Sequence, residues 1–70
     1  MRTLYPAKLK SQSGKEVEIP LDLGKLKVRE GDQVITVGSD IVWQVLVLGK
    51  GEQIGSGRHH RHWLVKEKVK

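Results

Sequence analysis

Polar and apolar residues alternate with a period of two over much of this chain. Val17, Ile19 and Leu21 interleave with Glu16, Glu18 and Pro20, which predicts a half-buried strand that the proline ends or places at a sheet edge. Ile41 to Leu48, interrupted only by Gln44, is the longest apolar run and the clearest strand. Gln33 to Val37 precedes it, and Gly38-Ser39-Asp40 lies between them as a turn, so these two runs predict a hairpin at the centre of the fold. Leu4, Ala7 and Leu9, with Tyr5-Pro6 among them, predict an irregular first strand at an edge. His59 to Val65 predicts the last strand, with Trp63 and Val65 facing inward.

The connections are polar and rich in glycine. Ser11-Gln12-Ser13-Gly14 and Arg29-Glu30-Gly31-Asp32 predict turns, and Gly49-Lys50-Gly51-Glu52 opens a loop that Gly55-Ser56-Gly57 continues. Asp22 to Val28 fits either a single helical turn capped by Asp22 or a compact loop pinned by Leu23, Leu26 and Val28. Gly24 argues against a helix there. No internal repeat and no long helical periodicity occurs. The pattern therefore predicts a mainly β fold. It would be a small twisted antiparallel sheet, or a partly open barrel, of four to five short strands with at most one helical turn. The expected organisation is a single small β domain over residues 1–65 with a frayed basic tail over 66–70. The expected core centres on Val34, Ile35, Val37, Val42, Trp43, Val45 and Val47.

Size narrows the possibilities further. Seventy residues lie near the lower limit at which one core holds alone. Cysteine is absent, which excludes disulfide staples and thiolate metal sites. No stretch approaches the roughly 20 apolar residues that span a bilayer, and no apolar run of signal-peptide length follows Arg2. A cytoplasmic protein without membrane attachment is the expectation.

The net charge of +5 is unevenly distributed. Residues 1–15 carry Arg2, Lys8, Lys10 and Lys15 and no acid, the middle of the chain is mildly acidic, and residues 56–70 are strongly basic. Two basic ends lying side by side would make one anion-attracting patch; held apart, they would be two solvated tails. Within the second end, Arg58-His59-His60-Arg61-His62-Trp63 concentrates two guanidinium groups, three imidazoles and an indole. Charged groups in such density are costly to desolvate, so this stretch predicts a contact surface for something anionic. Arginine offers a planar donor fork to phosphate, histidine donates or stacks, and tryptophan stacks on a base. The expected binding residues are Arg58, His59, His60, Arg61, His62 and Trp63, joined by Lys66, Lys68, Lys8 and Lys10. Histidine's reference pKa of about 6.5 makes such binding strengthen on acidification.

Other chemistry has little support. A zinc site needs three or four protein ligands, and nothing in the spacing of the acids completes a set with His60 and His62. Ser11, Ser13, Ser39 and Ser56 all lie in turn-like, glycine-rich contexts, and no nucleophile–base–acid arrangement emerges. The glycine clusters lack the lysine and the following helix of a phosphate-cradling loop. The expectation is a non-enzymatic binding module without metal or cofactor, acting in transcription or nucleic-acid handling. Its partner would be nucleic acid. The alternative is a docking regulator, of the kind phages and mobile elements encode, that binds an acidic surface of a larger machine such as RNA polymerase.

Residues 17–34 carry one partial likeness. Val17-Glu18-Ile19-Pro20, followed by Leu26 to Val34 with Gly31-Asp32 inside it, resembles the Ile-Pro … Gly-Asp pattern of AbrB-type swapped-hairpin transcription regulators. Gly24 falls where that family keeps a helix, and the long hairpin and basic strand that follow are not needed by the pattern, so no site residue carries over.

Overall fold

In a computed structural model of the chain, residues 2–54 and 61–69 are described. Eight short strands are present: β1 (Arg2–Leu4), β2 (Ala7–Ser11), β3 (Glu16–Glu18), β4 (Leu21–Asp22), β5 (Gln33–Thr36), β6 (Val42–Leu48), β7 (Glu52–Ile54) and β8 (Trp63–Val69). No helix occurs among the described residues, and the fold is mainly β as the alternation predicts. Four of the five expected runs are there, and the last is shifted. In place of a strand over His59 to Val65 the chain forms β8, with Arg61 and His62 ahead of it outside any strand and His59-His60 outside the described residues. The first two runs are each broken at a proline, which has no N–H for a ladder. Pro6 separates β1 from β2, and Ile19-Pro20 separates β3 from β4. β7 is an addition, formed where only a glycine loop is expected.

Six strands form one sheet in the order β3-β2-β6-β5-β8-β4, and β1 and β7 form a separate antiparallel pair. The expected hairpin, β5 with β6, lies at the centre of the larger sheet. β3 and β4, the two ends of that order, are consecutive stretches of one bent segment. This bent hairpin stays paired along its length. The Ile19 amide donates to the Ala7 carbonyl at 3.0 Å, and Tyr5 and Leu21 exchange two hydrogen bonds of 2.9 Å. One arm therefore pairs with β6 through β2, while the other pairs with β8 through β4. The sheets do not close into a barrel; the Tyr5–Leu21 bridge is what links the β4 edge back to the first hairpin. The β4–β8 ladder is parallel, with Leu21 opposite Trp63, so the sheet is mixed rather than purely antiparallel.

The core is built from Leu9, Leu21, Val34 and Val45, all fully buried, with Ala7, Leu23, Val28, Trp43 and Val65 around them. Two expected core residues are instead exposed: Val37 at 56% and Val47 at 50%. Val37 follows Val34 and Thr36, which point inward, so it falls on the opposite face at the entrance to the turn. Val47 is turned out by a β-bulge. Lys8 pairs with Val47 but Leu9 pairs with Val45, so Leu46 is the extra residue and the alternation inverts beyond it. Ile35 and Val42 are only partly buried.

A second bulge corrects the expectation of a frayed tail. Thr36 pairs with Val65 and Ile35 with Glu67, which leaves Lys66 as the extra residue, and pairing then continues to Gln33 with Val69. Residues 66–69 are thus ladder, not tail. They pair because β5 would otherwise present unsatisfied backbone groups on that side.

The segment between β4 and β5 takes the loop form. An Asp22 carboxylate oxygen accepts the Gly24 amide at 3.0 Å, and Gly24 has φ +57°, a left-handed conformation that no helix continues through. Leu23 and Val28 are buried beneath it. This removes the helix that the AbrB-type likeness would need. The turn over Arg29–Asp32 forms as expected, with the Arg29 amide donating to Asp32 Oδ2 at 2.8 Å. Gly51 has a different constraint. A Cβ there would lie 2.5 Å from Tyr5 Cε2, so the tyrosine ring packs directly over this backbone.

These positions give opposite expectations for neighbouring strands. Leu9→Ala should cost about 2–5 kcal/mol and Trp43→Ala about 3–5 kcal/mol, enough to unfold a domain this small. Val47→Thr should change stability by no more than about 0.5 kcal/mol. Denaturant melting of the three variants checks the core and the bulge together; a large loss at Val47 would contradict the inverted register.

Candidate functional site

The cations expected to form one basic patch are separated by the strand order. Lys8 and Lys10 lie on β2, with β6 and β5 between them and β8, which carries Lys66 and Lys68. Lys8 and Lys10 are therefore not on one surface with Lys66 and Lys68. Their environments also differ. On β2, Lys8 and Lys10 stand opposite Glu18 and Glu16 in the cross-strand register, and Lys8 Nζ lies 3.2 Å from Glu16 Oε1. Opposite charges alternate across that hairpin, so its outer face is close to neutral.

Lys68 is engaged differently. The bulge at Lys66 places Lys68 opposite the buried Val34. Its amine donates to the Lys27 carbonyl at 3.2 Å and lies 3.8 Å from Asp32 Oδ2. These contacts tie β8 to the loop ahead of β5, although the Lys68 side chain stays exposed. Lys66 stays exposed.

Arg58, His59 and His60 lie outside the described residues. Arg61, His62 and Trp63 are within them. The parallel β4–β8 ladder positions Trp63, with Arg61 and His62 just ahead of it outside the strand: Leu21 is opposite Trp63, and the Trp63 amide donates to the Pro20 carbonyl at 3.0 Å. Arg61 is thereby brought beside the first hairpin, where it lines a recess of about 270 Å³ with Val17, Glu18, Pro20 and Trp63. Trp63 is half-buried and packs on Trp43, with ring centroids 5.3 Å apart and planes tilted by 48°. Such tilted aromatic pairs stabilise beyond their area alone. Trp43 is a core residue as expected, only 4% exposed. Its Nε1 is buried without an acceptor among the described residues.

An adjoining cavity was not foreseen from the sequence. Val17, Val37, Ile41, Trp43 and Trp63 wall a space of about 340 Å³, with Lys15, Thr36 and Ser39 also on its lining. It shares Val17 and Trp63 with the recess that holds Arg61. Two of its apolar residues, Val37 and Ile41, are about half exposed, as is Leu64, whose carbonyl accepts the Val37 amide at 2.8 Å. The signal was present in the sequence: two β-branched residues flank the Gly38-Ser39-Asp40 turn, where polar residues are usual. Another recess, of about 400 Å³, lies over Pro6, Pro20 and Val47, where the two proline kinks meet.

Among the described residues, the serines are engaged in local hydrogen bonds. Ser11 and Ser13 share a hydrogen bond of 2.9 Å, Ser11 Oγ accepts the Lys15 amide, and Ser39 Oγ accepts the Ile41 amide. These serines are turn formers. Among the described residues no three metal-ligating side chains cluster, and no helix is long and apolar enough to cross a membrane. No family model, curated protein or solved structure matches this chain.

If Glu16 and Glu18 neutralise the β2 lysines, removing both charges should expose them. Glu16→Gln with Glu18→Gln should raise affinity for a polyanion and steepen its salt dependence, with little change in melting, because exposed ion pairs contribute little to stability. Titration with heparin across a salt series measures this. An unchanged salt slope would show that Lys8 and Lys10 do not reach the anion in either state.

Proposed function

We propose that this chain is a small, non-enzymatic binding module acting in transcription or nucleic-acid handling. It contacts an anionic partner, nucleic acid, through the segment 58–63 and the exposed Lys66. The observation that carries the reading is the pairing of charge with aromatic surface at one place. Arg61 and Trp63 line one recess, and Lys15 lines the next, with Trp63 common to both. Cations flanking a stacking surface are the elements single-strand binders combine. The lysines at positions 8 and 68 are secondary in this reading, since each is held near a carboxylate.

A second reading follows from a different feature, exposed apolar residues and a free sheet edge. Val37, Ile41 and Leu64 are exposed, and β3 is at an edge of the sheet, which suits docking of a protein with an acidic rim, such as RNA polymerase. Capture from lysate with and without nuclease separates the two readings.

The direct test is the double substitution Arg58→Ala with Arg61→Ala. Affinity for nucleic acid should fall at least tenfold. The slope of log affinity against log salt should flatten, because fewer phosphates are neutralised and fewer counterions are released on binding. Melting should be unchanged. Unaltered affinity in the double variant would remove the arginines from the interface.

A further inference from the structure

We infer that the cavity beside Trp63 is a pocket for one base of a single strand. The base would stack on the Trp63 indole while Lys15 and Arg61 hold the neighbouring phosphates. This rests on the proposed contact with nucleic acid and deepens it, because it selects single strands over duplex and assigns residues outside the basic segment.

Three observations lead here. The first is composition of the walls. Aromatic and β-branched side chains make up most of the lining, while Thr36 and Ser39 add hydroxyls that can meet the polar edge of a base. Ligand pockets have this make-up, largely apolar with a few polar groups that fix orientation. The second is continuity. The cavity and the Arg61 recess share Val17 and Trp63, so Lys15 at one and Arg61 at the other flank a common indole. Glu18 also lines the Arg61 recess and disfavours a phosphate on its own side, which leaves Arg61 and Lys15 to set the path of the backbone. The third is exposure. Val37 and Ile41 stand at 56% and 49% exposed on the lining, an apolar surface that an unstacked base would cover.

Duplex nucleic acid cannot use such a site, because its bases are stacked and paired; a single strand can turn one base out. Arginine and lysine at the surface alone would bind both forms through their phosphates.

The test compares a short oligothymidylate with the duplex it forms with oligoadenylate, by tryptophan fluorescence and by affinity. The single strand should quench the emission and bind at least tenfold tighter than the duplex. Val37→Asp puts a carboxylate on the cavity lining and should weaken single-strand binding at least tenfold while leaving duplex binding within twofold. Val47→Asp makes the same charge change at an equally exposed residue outside the cavity, and should affect both forms alike. Trp63→Phe, which retains a ring against Trp43, should keep the fold and reduce the quench. Equal affinity for the two forms, or equal effects of the aspartates at 37 and 47, would overturn the pocket while leaving the nucleic-acid reading intact. If neither oligonucleotide binds, the reading itself fails and the pocket with it. A protein partner that no longer binds the Val37→Asp variant would then assign this cavity to docking instead.

Discussion

One bent hairpin lies at both ends of the main sheet, and the rest of the structure depends on it. Its two strands stay hydrogen-bonded past Pro6 and Pro20, through Ile19 to Ala7 and through the reciprocal Tyr5–Leu21 pair. Because it stays paired while it turns, β2 can join β6 while β4 joins β8. The sheet is thus carried around Leu9, Leu21, Val34 and Val45, which become fully buried without any disulfide. A domain of this size has little apolar area to bury, so a wrap of this kind is a condition of stability. The same turn places residues 17–20 beside Arg61 and Trp63, and the recesses exist because of it.

Charge counted along the chain overstates the charge available to a partner. Of the lysines expected to contribute, Lys8 meets Glu16 and Lys68 reaches across to Lys27 and Asp32. Neither arrangement is worth much to stability at such exposure, yet each lowers the local potential. What the fold concentrates on one side is smaller and more specific: Arg61 and Lys15 around a tryptophan whose other neighbour is a second tryptophan. The shared indole is also a packing residue, since Trp63 rests on Trp43.

Much of the fold is legible in the residues, and the gaps have physical causes. Val17, Ile19 and Leu21 alternate with polar neighbours, and the central hairpin is bounded by Gly38-Ser39-Asp40, so those strands could be read directly. The bulge at Leu46 could not. Val45 to Leu48 is apolar at every position, and an alternation that never shows a polar residue cannot reveal where it inverts. The parallel pairing of β4 with β8 is equally hidden, because it joins segments far apart in sequence through backbone groups alone. That pairing is what sets Arg61 and Trp63 against the first hairpin. Arg61 and Trp63 were therefore recognisable by composition, and Val37 and Ile41 by their place beside a turn, whereas the approach of Lys15 and Val17 to Trp63 was not. Lys66 to Val69 reads as a charged tail, yet backbone pairing with β5 outweighs its polarity.

The architecture stands most directly on the hairpin being held at both edges, and amide hydrogen exchange reads that pairing residue by residue. The amides of Tyr5, Leu21 and Trp63 donate to Leu21, Tyr5 and Pro20 respectively. They should exchange only through global unfolding, as slowly as the amide of Val45 in the central strand. Rapid exchange at Leu21 and Trp63, with Val45 still protected, would show the hairpin paired at the β6 side alone, and the site built against it would not exist.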